Sequence, residues 1–193
     1  MSSRAAVALW VAAAACAAGA DRVDVRLERR TGEEWRGIDS KTVLEGGDRI
    51  RFRVRCTMPG WLYVYSTDSS GKAGWLVEDG LLIVKDQDYE IPRGAAYTVS
   101  GPAGFDVVYW IVSPRKVPAE ALVPANARRN VSNTMRPRCR EGSGEAKMAC
   151  LDDRAGASGL RARELKEERG TEKGGEGDRN FSVMVSEFRV AHR

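Results

Sequence analysis

The stretch Gly47–Ser66, GDRIRFRVRCTMPGWLYVYS, constrains this chain more than any other. Arg49, Arg51, Arg53 and Arg55 alternate with Ile50, Phe52, Val54 and Cys56. Successive side chains of a strand point to opposite faces, so the pattern predicts a strand with one arginine face and one apolar face. Met58-Pro59-Gly60 has the chemistry of a turn, and a hairpin is the expectation. Trp61–Tyr65 then runs without a charge, as a strand covered on both faces does.

The flanks repeat this grammar. Val23, Val25 and Leu27 alternate with Arg22, Asp24, Arg26 and Glu28, a half-exposed strand turned by Thr31-Gly32. Glu34–Ile38 is a weaker strand around Trp35. Trp75, Leu76 and Val77 lie in a strand over Ala73–Glu78, and Asp79-Gly80 predicts a hairpin returning through Leu81–Val84. Tyr89–Ile91 ends at Pro92, Ala96–Ser100 is short, and Phe105–Ser113 is almost wholly apolar. Short strands divided by Gly, Pro and Asp predict an all-β fold, an antiparallel β-sandwich of immunoglobulin-like or jelly-roll-like kind.

At its N-terminus the chain reads differently. Arg4, the apolar run Ala5–Ala18 and the small residues Ala18-Gly19-Ala20 form a signal-peptide pattern that leaves Asp21 as the new terminus. Cys16 offers lipid anchoring as an alternative, but Ala13 stands where such a signal carries Leu. Export to the periplasm or outside the cell is therefore expected, with no membrane span after cleavage. Export also means that disulfides persist. Cys139 and Cys150 are close in a polar region, and a bridge between them would contribute roughly 2–3 kcal/mol by closing a short loop. Cys56 falls on the apolar face of its strand and reads as a small buried hydrophobe.

These readings divide the chain into a signal peptide (1–20), a β-sandwich (21–116), a linker and low-complexity tail (117–180) and a final strand (181–193) that docks back on the sandwich. In the tail, Arg154–Asn180 is charged and glycine-rich. Leu160–Arg169 has the spacing of a helix, but its few apolar residues favour disorder. Phe181–Ala191 is plainly strand-like and would cover an otherwise open sheet edge. Residues 21–116 carry 15 basic and 15 acidic residues, so the sandwich offers a polyanion no net attraction.

GGDRIRFRVRCTMPGWLYVYSTDSSGKAGWLVEDG, then YEIP, then GFDVVYWIVS resembles the bacterial family known as domain of unknown function 4384, over about Glu45–Pro114. The resemblance implies a small exported β-sandwich, sometimes joined to kinase or caspase-like peptidase domains. It supplies no catalytic residues.

Chemistry-bearing residues are sparse. His192 stands one residue from the C-terminus, where chains fray, and Cys56 points inward, so a Cys56–His192 nucleophile pair is not expected. No Cys-x-x-Cys or His-x-x-x-His spacing suggests a metal, Asp68-Ser69-Ser70-Gly71 lacks the later ligands of a calcium loop, and no phosphate loop is present. No cofactor, metal, nucleic-acid partner or catalytic activity is therefore expected. Two surfaces are candidates for ligand binding. The Arg49/Arg51/Arg53/Arg55 stripe, with guanidiniums about 7 Å apart, suits anionic glycans or other polyanions unless neighbouring acids neutralise it. Trp61, with Tyr63 and Tyr65 on one face and Trp75 and Trp110 nearby, suits sugar rings unless it is core. The reading as a whole is an exported, non-catalytic module that binds another envelope or secreted protein, with polyanion binding through the arginines as the alternative.

Overall fold

The computed structural model describes residues 21–124, 135–142, 149–165 and 181–193. The expected signal peptide with Cys16, and residues 125–134, 143–148 and 166–180 of the expected linker and tail, lie outside the described residues.

The strands run β1 (Val23–Thr31), β2 (Glu34–Ile38), β3 (Val43–Leu44), β4 (Arg49–Cys56), β5 (Gly60–Thr67), β6 (Ala73–Ile83), β7 (Asp88–Ile91), β8 (Tyr97–Thr98) and β9 (Gly104–Ser113). A 3₁₀ turn at Ala119–Leu122 follows. Then come β10 (Arg140–Glu141), β11 (Cys150–Leu151), β12 (Gly156–Leu165) and β13 (Phe181–His192). A five-stranded sheet has the order β2-β1-β4-β7, with β8 also on β4. A six-stranded sheet has the order β12-β13-β9-β5-β6, with β3 alongside β13. The pairings are antiparallel except β3–β13. The expected antiparallel sandwich and its returning last strand are both present.

Alternation builds the core. Leu27, Ile50, Phe52, Val54 and Cys56 point inward from the smaller sheet, and Leu62, Val64, Val108, Trp110 and Phe188 from the larger. Phe52 locks the layers together, packing edge-on against Trp110 at 5.1 Å and Phe188 at 5.8 Å between ring centroids. Burying a side chain of this size contributes roughly 2–3 kcal/mol.

Four local expectations are corrected. First, β4 and β5 are not a hairpin. β4 pairs with β1, β7 and β8, whereas β5 pairs with β6 and β9, so Met58-Pro59-Gly60 carries the chain from one sheet to the other. At Gly60 an added Cβ would lie 2.5 Å from the Ser113 carbonyl oxygen. The glycine therefore serves the close approach of β5 to β9.

Second, Asp79-Gly80 does not reverse the chain. Leu81 opposes Leu62 and Val77 opposes Val64, so Glu78, Asp79 and Gly80 bulge out of one continuous β6 opposite Tyr63 alone. Gly80 has φ +73°, and an added Cβ would lie 2.8 Å from the Tyr63 ring. The positive φ that suits a hairpin turn serves a bulge here.

Third, the described part of Leu160–Arg169 is neither helix nor disorder. Gly156–Leu165 pairs with β13 along its length. An edge strand needs backbone partners more than apolar side chains, and charges suit its outer position.

Fourth, His192 does not fray. It pairs with Gly104 and Leu44 and is 1% exposed.

Candidate functional site

The six candidate surface residues fall on opposite sides of the sandwich. The arginines lie on the outer face of the five-stranded sheet. Trp61 and Trp75 lie on the outer face of the six-stranded sheet.

The register explains the arginine face. β1 places Glu28 opposite Arg51 and Asp24 opposite Arg55, and β7 places Glu90 opposite Arg53 and Asp88 opposite Arg55. Arg51 bonds Glu28 at 2.6 Å and Glu90 at 2.8 Å, while Arg53 bonds the same two carboxylates at 3.0 and 3.2 Å. Arg55 grips Asp88 through Nε and Nη2 at 2.8 and 2.9 Å. That fork holds the Asp88 carboxyl below, and the Arg55 guanidinium above, their ordinary ranges. Arg51 also stacks under Trp35, 4.5 Å from the ring centroid. Arg49, opposite Thr98, is exposed and forms no ion pair among the described residues. Three of the four guanidiniums thus already hold carboxylates.

The other outer face is aromatic. Tyr63, Val107, Tyr109, Ile111 and Val183 are buried in a second apolar cluster, with Trp61, Tyr65 and Trp75 half-buried around it. Trp75 packs edge-on against Tyr65 at 4.9 Å. Trp110 is not part of this face; it belongs to the inner core. Residues beyond 116, expected to be a linker, cover part of the aromatics. Leu122 is 1% exposed within the cluster. The Tyr63 hydroxyl donates to the Val117 carbonyl at 2.8 Å and accepts from the Val117 amide at 2.9 Å. Arg163 of β12 donates to the Leu122 and Val123 carbonyls at 3.4 and 3.1 Å.

Beyond this cover the face stays open. Leu82 opposes Trp61 across the β5–β6 ladder and is 60% exposed; Val84, just past the strand, is 57% exposed. Sequence reasoning missed this pair, because alternation says which residues share a face but not whether other chain lies over it.

The disulfide is formed, Cys139–Cys150, and ties the β10–β11 ladder. Its surroundings are docked rather than loose. Asp152 accepts from the Arg138 and Arg154 amides and from the Arg154 guanidinium, which hold its carboxyl well below the usual range. Thr42 bridges Leu151, and Arg154 stacks on Phe105.

The catalytic candidates lie in different sheets. Cys56 is in the smaller sheet, buried, its thiol pushed up to about 12 by burial and Asp24. His192 is in the larger sheet, its Nε2 3.1 Å from Asp106. Asp106 also accepts from the Ser69 amide, while the Ser69 hydroxyl donates to the Pro102 carbonyl. Buried Ser69 and His192 thus meet on the partly exposed Asp106, which pins the 68–70 loop to β9 and β13. The serine hydroxyl donates to the Pro102 carbonyl, and among the described residues no Ser69–His192 hydrogen bond is formed. The one sequence signal was the composition itself; no spacing links residues 69, 106 and 192. Among the described residues no group of acidic, His and Cys side chains is disposed to hold a metal ion.

Residues 43–116 match the family described as domain of unknown function (DUF4384), in agreement with the resemblance carried by Glu45–Pro114. No curated protein and no solved structure matches the chain. The matched segment spans β3 to β9. β1, β2, β12 and β13, which complete the two sheets, lie outside it.

Proposed function

We propose that this chain is an exported, non-catalytic module that binds another envelope or secreted protein through the outer face of its six-stranded sheet. The observation that carries the reading is the pairing of exposed Leu82 with Trp61, beside exposed Val84, at the margin of an aromatic cluster. Met135 is the other strongly exposed large apolar side chain among the described residues, so this surface concentrates two of three. Contiguous exposed apolar surface favours a protein partner. Export is supported by the pattern of residues 1–20 and by the disulfide, which suits an oxidising compartment. The absence of catalysis is supported by a Cys56 thiol held protonated by burial and by a His192 ring engaged with Asp106 in the other sheet. Polyanion binding is the weaker reading, because Arg51, Arg53 and Arg55 already hold Glu28, Glu90 and Asp88.

The test is a crosslinking pull-down with residues 21–193 as bait, run beside a Leu82→Asp/Val84→Asp double variant of unchanged melting temperature. A partner protein captured by the native chain and lost by the variant is expected. Equal capture by both, or no saturable partner, overturns the reading.

A further inference from the structure

The β6 bulge and the 116–120 segment enclose an open groove of about 480 Å³. Glu78, Asp79 and Glu120 line it, with Val117 and Pro118 as apolar wall. Among the described residues, none of these three carboxylates has an ion-pair partner. Lys116, the one cation of the lining, lies over the Trp61 ring, its Nζ 5.2 Å from the centroid. Through Lys116 the groove borders the Trp61–Leu82 surface, and its lining holds three exposed acidic residues against one lysine.

We infer that this groove takes a lysine or arginine side chain from an extended segment of the partner protein, whose neighbouring apolar side chains cover Trp61 and Leu82. The inference rests on the interaction reading above and adds the chemistry of the partner. Charge complementarity selects it. An unneutralised acidic rim repels acidic segments and attracts basic ones, and the Lys116–Trp61 contact shows that the adjoining aromatic surface accommodates a cation. A second copy of the chain is a poor occupant. Antiparallel pairing of β6 with itself, centred on the strand, sets Glu78 directly opposite Glu78 of the other copy, with Asp79 of each copy one residue away, and like charges directly opposite are destabilising.

The experiment uses residues 21–193 and two dye-labelled peptides of roughly ten residues, enough to lie extended along one strand edge. One alternates lysine with valine and threonine; the other replaces each lysine by glutamate. Fluorescence anisotropy is expected to show the basic peptide binding at least about tenfold more tightly, the gap closing as added salt screens the rim. The Glu78→Gln/Asp79→Asn/Glu120→Gln variant, of unchanged melting temperature, is expected to lose that preference. Equal binding of the two peptides, or a preference that survives in the triple variant, overturns the inference. If Leu82→Asp abolishes that equal binding, the interaction reading stands without the acidic groove. Binding by neither peptide also overturns the inference, and the pull-down, which does not depend on the groove, then decides the broader reading separately.

Discussion

The two outer faces of this sandwich solve the same problem in opposite ways. On the five-stranded sheet, Glu28, Asp88 and Glu90 are set by register against Arg51, Arg53 and Arg55, and the face is closed by its own charges. On the six-stranded sheet the face is apolar, and closure needs additional chain: Val117, Leu122 and the carbonyls held by Arg163. That cover ends short of Leu82 and Val84, and among the described residues the carboxylates at its margin have no ion-pair partner. The more conspicuous face in the sequence is thus chemically satisfied, and the less conspicuous one is left with surface to offer.

The sharpest way to break this contrast is at Tyr63, which supports the cover from below. Tyr63→Ala removes a fully buried aromatic and is expected to cost about 3–5 kcal/mol, read by denaturant unfolding. Tyr63→Phe keeps the ring but leaves the Val117 amide and carbonyl without their shared hydroxyl, and about 1–2 kcal/mol is expected. Limited proteolysis of the Tyr63→Phe protein should cut within 114–124 faster than in the native chain. An unchanged cleavage rate would mean that the cover is not held by this contact.

Gly80 tests the same face from the bulge. Gly80→Ala places a Cβ against the Tyr63 ring at a residue with positive φ, and about 2–3 kcal/mol is expected from strain and displacement of the ring. On the opposite face, Glu28→Ala leaves Arg51, 12% exposed at its side chain, short of its closest carboxylate. Partial access to water reduces the cost to about 1–2 kcal/mol. If Glu28→Ala proved costlier than Tyr63→Ala, the ionic face rather than the aromatic one would be the structural mainstay.

How much of this was legible in the sequence follows from the range of each signal. Alternation in Arg49–Cys56 and Phe105–Ser113 is local, and it correctly gave strands, faces and the burial of Cys56. Partnership between strands is not local. Met58-Pro59-Gly60 and Asp79-Gly80 have turn chemistry, but whether a turn closes a hairpin, crosses between sheets or forms a bulge depends on which strand lies opposite. The charged stretch from Arg154 looked unfoldable because its apolar content is low, yet β13 supplies a ladder for Gly156–Leu165. His192 looked frayed from its position, but a parallel contact with β3 and the carboxylate of Asp106 bury it. Of the candidate site, the arginines, Trp61 and Trp75 could be named in advance. That they lie on opposite faces, and that Leu82 and Val84 are the uncovered residues, depends on tertiary placement alone.

The smallest expected effect refines the ionic side of the contrast. Arg55 and Asp88 are well exposed, so Arg55→Ala is expected to lower the melting temperature at neutral pH only slightly. The pair should register in the pH dependence instead. Asp88 is held below its ordinary range by Arg55, so its folded-state value lies below its unfolded value of about 3.9. The stability it contributes is complete above that unfolded value and is lost as pH falls through the depressed folded one. Melting curves collected downward from about pH 5 should therefore fall slightly less steeply for Arg55→Ala than for the native chain, with the two converging in strong acid. Tyr63→Phe should show no such convergence, because the contact it removes carries no titrating carboxylate. If the Arg55→Ala and native profiles remained parallel through the acid range, the fork on Asp88 would be doing no more than filling the wet face of the sheet.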